Sequence, residues 1–175
     1  MTHFYIQKYN PSWCSFIPVL LKIFPLSEGP ILELGTGFFS TPILHMLCMD
    51  TNRMLISFEN DRSFFDLEQK FINDPHQIIF TDDWDRINID NTHWGMALVN
   101  HKPAERRVEE IRRLANIADF IIIHDSEPSQ NHHYHYDLIY PLSKFRYDYQ
   151  SKPRYAHTTV LSNLKDLSNL QIIFK

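Results

Sequence analysis

Short apolar runs recur along the chain, and each gives way to a helical pattern. Ile31–Leu34 ends in glycine, and residues 54–58 (MLISF), 77–81 (QIIFT), 96–99 (MALV) and 120–123 (FIII) follow it. Runs of this length, without polar alternation, suit strands buried on both faces. Between them, Ser40 or Thr41 can cap a helix that has Pro42 at its first position. Asp61 or Ser63 can cap a second helix, with Phe64, Leu67 and Phe71 on one stripe. Residues 104–117 read as a third, with Val108, Ile111, Leu114 and Ala118 inside and Arg106, Glu109, Glu110 and Arg113 outside. Such alternation predicts an α/β fold: a Rossmann-like three-layer αβα sandwich on a mostly parallel sheet. Phe145–Tyr149, Thr158–Ser162 and residues 170–174 read as further strands, expected to form an antiparallel C-terminal edge.

The 175 residues suit a single domain, and 43% hydrophobic against 22% charged residues is enough for a core. A net charge of −4 argues against nucleic-acid binding through bulk charge. Cys14 and Cys48 have no CxxC or zinc spacing, so free thiols in a reducing, cytoplasmic compartment are expected. The N-terminus is too polar for a signal peptide, and Lys22 breaks the apolar stretch FIPVLLKIF, so no membrane association is expected.

Ligands of parallel sheets bind beyond the carboxyl ends of the strands. Polar groups collect there: Glu33 and residues 35–37, then Glu59, Asp82 and Asp83, Asn100 and His101, and finally His124 and Asp125. Glu59 follows Gly37 by 22 residues and ends the second run. A carboxylate there can accept both hydroxyls of an adenosine ribose, which leaves the rest of the nucleotide open. The stretch ILELGTGFFSTPIL narrows the choice. A pyrophosphate needs a helix N-terminus with no acid beside it. Here Glu33 precedes the first glycine, and Ser40 stands where the dinucleotide fingerprint has its third. An acid near a glycine turn favours a ligand bearing an ammonium and a sulfonium.

The loop E-x-G-x-G after a strand, with an acid ending the next, resembles the class I S-adenosylmethionine-dependent methyltransferases over residues 30–126. The resemblance implies that Glu33, Gly35, Thr36 and Gly37 form the first cofactor motif. It also implies that Glu59 and Asn60 hold the ribose side. Asp82 or Asp83 would meet the adenine amino group, with Trp84 stacked on the ring. The family often has an acid at the end of the fourth strand; Asn100 stands there in ALVNHKPAERR, and the N-P-P-Y tetrapeptide is absent. Asn100 can accept from the ligand ammonium through its carbonyl but cannot act as a base. The His-Asp pair of ADFIIIHDSEP resembles small-molecule and sugar methyltransferases.

Methyl transfer to a hydroxyl benefits from a base, and His124 with Asp125 are the candidates. The expected acceptor is a hydroxyl of a small molecule or sugar. A catalytically inactive module that binds S-adenosylmethionine is the alternative, and a nicotinamide-dependent oxidoreductase a third. Asp125 and Asn100 make a poor magnesium site, and no obligatory metal is expected; His132, His133 and His135 are the residues that could join His124 around a softer ion. Arg106, Arg107, Arg112 and Arg113 read as a solvated helix face. Residues 1–29, with Tyr5, Tyr9 and Trp13, are expected to cap the site from one side. Tyr134 and Tyr136, within residues 127–175, would wall the other, and a dimer mate is the alternative source of substrate contacts.

Overall fold

The structure, a computed structural model, describes residues 10–170. Seven strands form one sheet: β1 (Ile31–Leu34), β2 (Leu55–Glu59), β3 (His76–Phe80), β4 (Trp94–Val99), β5 (Ala118–His124), β6 (Phe145–Tyr149) and β7 (Thr158–Ser162). Their order is β3-β2-β1-β4-β5-β7-β6. The first five strands are parallel, while β7 runs antiparallel to both neighbours. The expected sheet, with its antiparallel C-terminal edge, is therefore present. The C-terminal strand expected at residues 170–174 falls outside the described residues, apart from Leu170, which is buried in the core.

Helices cover both faces. On one, α1 (Ile17–Ile23) and α2 (Ser40–Thr51) supply Val19, Leu20, Ile23, Leu44 and Cys48 against Ile31, Met96, Leu98 and Ile122. On the other, α4 (Arg107–Leu114) sets Val108, Ile111 and Leu114 against Leu32, Leu34, Val99 and Ile121. The two-residue period of β1 sorts its side chains. Leu32 and Leu34 face α4, so Ile31 and Glu33 face α2.

Element boundaries depart from expectation where side chains find other work. No side chain caps α2; Thr41 instead accepts the Gly37 N–H at 2.9 Å. Asp61 caps α3 (Arg62–Glu68) through Ser63 N as expected, but Leu67 is exposed and Glu68 is buried in its place. The expected helix over 104–117 splits into a 3₁₀ turn, Ala104–Arg106, followed by α4. A short α5 (Asn131–Tyr134) follows β5. Cys48 is a buried free thiol, and no described helix is long and apolar enough to cross a membrane.

The order reverses at β1, which lies between β2 and β4. The carboxyl ends of these strands diverge there, and the crevice that opens is the natural ligand site.

Candidate active site

A cavity of about 360 Å³ occupies that crevice, within the roughly 300–1,000 Å³ usual for small-molecule sites. One half is walled by residues 35–40, residues 59–61 and Phe64. The other half is walled by Trp13, Phe16, Asn100, Lys102, Arg107, Asp125 and Tyr134.

The glycine loop is held from beneath. Gly35 adopts φ +88°, and a Cβ there would lie 2.6 Å from the His101 backbone. Its N–H bonds to Phe58 O at 2.9 Å. Thr36 N and Oγ1 both donate to Glu59 Oε2, at 2.7 and 2.9 Å. The other carboxylate oxygen of Glu59 accepts Asn60 N at 2.8 Å and Asp61 N at 2.7 Å. With Gly37 N bonded to Thr41, the backbone donors of Gly35, Thr36 and Gly37 are all taken. Residues 35–37 therefore offer a phosphate no free N–H group. Gly37 differs from Gly35: an added Cβ would meet nothing closer than Ser40 Oγ at 3.4 Å, so its missing side chain leaves cavity space open.

Glu33 is not at the ligand surface. It is fully buried under α2, where Thr41 donates to it at 3.0 and 3.1 Å and Ser57 at 2.7 Å. Burial outweighs these bonds and raises its pKa to about 7. The strand period gives the reason: a residue two before the loop glycine points into the sheet face, not out of its end.

Asp82, Asp83 and Trp84, expected beside the adenine, do not line the cavity. Asp82 is exposed. Asp83 caps a 3₁₀ turn through Asp85 N at 2.9 Å and pairs with Arg86 at 3.2 Å. That turn folds Trp84 back into the core, where its Nε1 donates to Lys102 O at 2.9 Å and its ring packs on His101 at 4.1 Å. Phe64 and Phe38, whose rings lie 5.3 Å apart, border the cavity on that side instead.

Asp125 borders the cavity from the end of β5, in a left-handed conformation at φ +57°. Such a backbone is uncommon outside glycine, though Asp tolerates it better than most residues, and it clusters at functional sites. Tyr134 donates to Asp125 Oδ2 at 3.1 Å. His124 points the other way. It is buried, and since Ser15 spends its hydroxyl proton on a backbone carbonyl, His124 Nε2 donates to Ser15 Oγ at 3.0 Å. Its Nδ1 lies 3.4 Å from Asp125 Oδ1. Burial lowers its pKa, with Asp125 opposing. His124 is thus placed behind Asp125 and does not line the cavity. His132, His133 and His135 are exposed on or beside α5, and no cluster of three metal-ligating side chains forms among the described residues.

Sequence reasoning missed Arg107. Its place in the sequence reads as part of a solvated face, but its side chain is 5% exposed. It donates to His101 O at 2.7 Å and to His124 O and Tyr136 Oη at 3.3 Å, and lies 3.5 Å from Asp125. Burial works against its charge, but Tyr136, Asp125 and Tyr134 outweigh it and hold the pKa above the ordinary value. The signal was available: Arg107, Val108 and Ile111 share a stripe at helical spacing. Glu110 was likewise expected outside, yet it is fully buried between His101 Nε2 (3.1 Å) and Arg106 Nε (2.9 Å).

No protein-family model and no curated protein matches the sequence. Solved structures do match by shape. A human methyltransferase 10 domain containing protein superposes with a TM-score of 0.63 at 11% identity, over 92% of this chain and 85% of that one. A methyltransferase from Pyrococcus furiosus gives 0.61 at 16% identity, over 85% and 83%. The N-terminal domain of human METTL16 in complex with SAH gives 0.60 at 11% identity, over 91% and 73%. The catalytic domain of the same human protein, in complex with the MAT2A 3′UTR hairpin 1, gives 0.63 at 10% identity, over 91% and 72%. The chain therefore has the Rossmann-like fold of the class I S-adenosylmethionine-dependent methyltransferases.

Proposed function

We propose that the chain is an S-adenosylmethionine-dependent methyltransferase acting on a hydroxyl group of a small molecule or sugar. The observation that carries this reading is the saturated glycine loop. Its first three donors are occupied internally, so the site suits an adenosine ligand without a pyrophosphate. Three carboxylates (Glu59, Asp61, Asp125) and two cationic side chains (Lys102, Arg107) border the cavity, a set matched to a ligand bearing both ammonium and carboxylate.

In this reading a ribose hydroxyl displaces one of the four internal donors on Glu59, Asn100 accepts from the ammonium, and Phe38 and Phe64 flank the base. Asp61 and Asn60 border the same half. When bound, the cofactor supplies an electrophilic methyl group on a positive sulfur. Asp125 then takes the acceptor proton, while Arg107 and Tyr134 fix its carboxylate. Trp13 and Phe16 exclude water, and much of the rate comes from alignment of acceptor and methyl group. His124 acts as a support for Asp125. No ligand set for a metal enters the scheme.

A non-catalytic binding module is the second reading. Asn100 is neutral and His124 lies outside the cavity, which leaves Asp125 as the candidate base on the Arg107 and Tyr134 side. Transfer of an isotope-labelled methyl group from S-adenosylmethionine to panels of phenols, sugars and short RNA hairpins separates the readings. Labelled small hydroxyl compounds support the proposal. Labelled RNA alone replaces its substrate class, and binding without any transfer favours the module.

A further inference from the structure

A row of buried polar groups beneath the glycine loop has no part in the scheme above. Glu33 sits beside Ser57 in the parallel register of β1 and β2. Ser57 donates its proton to Glu33 Oε2 at 2.7 Å. At 3.0 Å, His76 Nε2 must therefore be the donor to Ser57 Oγ. That leaves His76 Nδ1 as an acceptor, and His45 Nδ1 donates to it from 3.2 Å. His45 is half-buried on α2, against Phe71. On the opposite side Thr41 donates to Glu33 and accepts from Gly37 N, and Ser40, which borders the cavity, also hydrogen-bonds Glu33. Every proton in the row points toward the Glu33 carboxylate.

We propose that His45, His76 and Ser57 form a proton wire to Glu33, and that the charge of Glu33 beneath the glycine loop makes affinity for the sulfonium cofactor depend on pH near neutrality. The inference rests on the cofactor reading above. The wire balances. A solvent proton taken by His45 at its other ring nitrogen releases the Nδ1 proton to His76 Nδ1. His76 passes its Nε2 proton to Ser57, and Ser57 passes its own to Glu33. Each link gains one proton and gives one up, so the net change is one solvent proton on Glu33.

The surroundings suit that role. Burial raises Glu33 to about 7, and Glu68 on α3 adds to the rise. Burial lowers His76 to about 4, with His45 adding to it, so His76 stays neutral and passes a proton without keeping it. Cys48 on α2 is held up at about 12 and stays a thiol. From β4 the register neighbour is the apolar Leu98. Glu33 lies one hydrogen bond from Ser40 on the cavity wall, close enough for its charge to favour a cation there.

The sign follows from linkage. A cationic ligand binds best above the ionised acid, so binding lowers the Glu33 pKa and affinity rises with pH. S-adenosylhomocysteine lacks the sulfonium charge and should respond less. Calorimetric titration of the full chain with each ligand, near pH 5.5 and near pH 7, tests this below the ligand amino-group range of about 7.7–8.0. A one-unit drop in the Glu33 pKa gives about a fourfold gain for S-adenosylmethionine over that interval. Glu33→Gln should remove the gain.

Equal responses to the two ligands, or an unchanged response in Glu33→Gln, overturn the proposal. Carbon NMR of the Glu33 carboxyl in ligand-free protein should show a midpoint near neutrality; a midpoint below about 5, in the ordinary carboxylate range, overturns it. His76→Phe cuts the path between His45 and Ser57, so proton exchange at Glu33, read from the carboxyl line shape through its titration, should slow; an unchanged exchange rate overturns the wire. Failure of wild-type protein to bind either ligand overturns the cofactor reading, and the carboxyl titration then decides the wire alone.

Discussion

Gly35 is required by backbone geometry, whereas Gly37 leaves cavity space open. Gly35→Ala forces a Cβ within 2.6 Å of the His101 backbone at φ +88°. It should cost about 2 kcal/mol or more in denaturant unfolding, with the cofactor loop disturbed. Glu59 carries two duties. It is the candidate ribose acceptor, and its hydrogen bonds from Thr36, Asn60 and Asp61 tie β2 to the loop. Glu59→Ala should abolish ligand binding and also cost about 1–3 kcal/mol in denaturant unfolding, because it strips Thr36, Asn60 and Asp61 of their acceptor. Asp125→Asn should reduce turnover about 100-fold or more while leaving the dissociation constant for S-adenosylhomocysteine nearly unchanged. Equal loss of both would make Asp125 a structural residue.

At the scale of elements, α4 locks the wall of the cavity that holds Asp125. Arg107 binds the carbonyls that end the β4 loop and β5, and Glu110 binds His101 in that same loop. Arg107→Leu leaves these carbonyls without their donor and Asp125 without its cation. It should lower stability by about 3–5 kcal/mol in denaturant unfolding. These contacts explain what was legible in the sequence and what was not. The strands of the parallel core and the two edge strands could be read because each is a short apolar or β-rich run between turn residues. The helix over 104–117 was read with its charged residues outward, since charge usually means solvent. Tertiary partners overrode that rule: a guanidinium and a carboxylate were buried because backbone carbonyls and a histidine waited for them. Trp84 was misplaced for a related reason. Its motif position suggested an adenine contact, but the Asp83-capped turn after β3 rotates the ring into the core, and no pattern in the local sequence signals that rotation.

Across the whole molecule, buried acids and histidines oppose one another in the pH dependence of stability. Glu33 is raised in the folded state, so its contribution is full below about pH 4.5 and lost as pH rises through about 7. His76, His101 and His124 are lowered, so they contribute above their ordinary value of 6.5 and lose stability as pH falls. Glu33→Gln removes the first effect alone. Relative to wild type, its unfolding free energy should therefore climb between about pH 4.5 and 7, by on the order of 2–3 kcal/mol. Urea unfolding across that range checks the sign. The fold class was open to sequence reading because alternating apolar runs and helical patterns imply a mostly parallel sheet with covered faces; the strand order was not. Of the cavity wall, Gly35, Thr36, Gly37, Glu59, Asn60, Asn100, Asp125, Trp13 and Tyr134 were open to that reading as well, while Phe16, Phe38, Phe64 and Arg107 were not, because their place on the wall depends on how distant segments pack. The central claim is that the saturated loop admits an adenosine ligand without a pyrophosphate. Thermal unfolding with saturating S-adenosylhomocysteine or NAD tests it directly. At 100-fold excess over the dissociation constant, S-adenosylhomocysteine should stabilise the chain by about 2.7 kcal/mol and NAD should leave it unchanged; stabilisation by NAD alone would contradict the account.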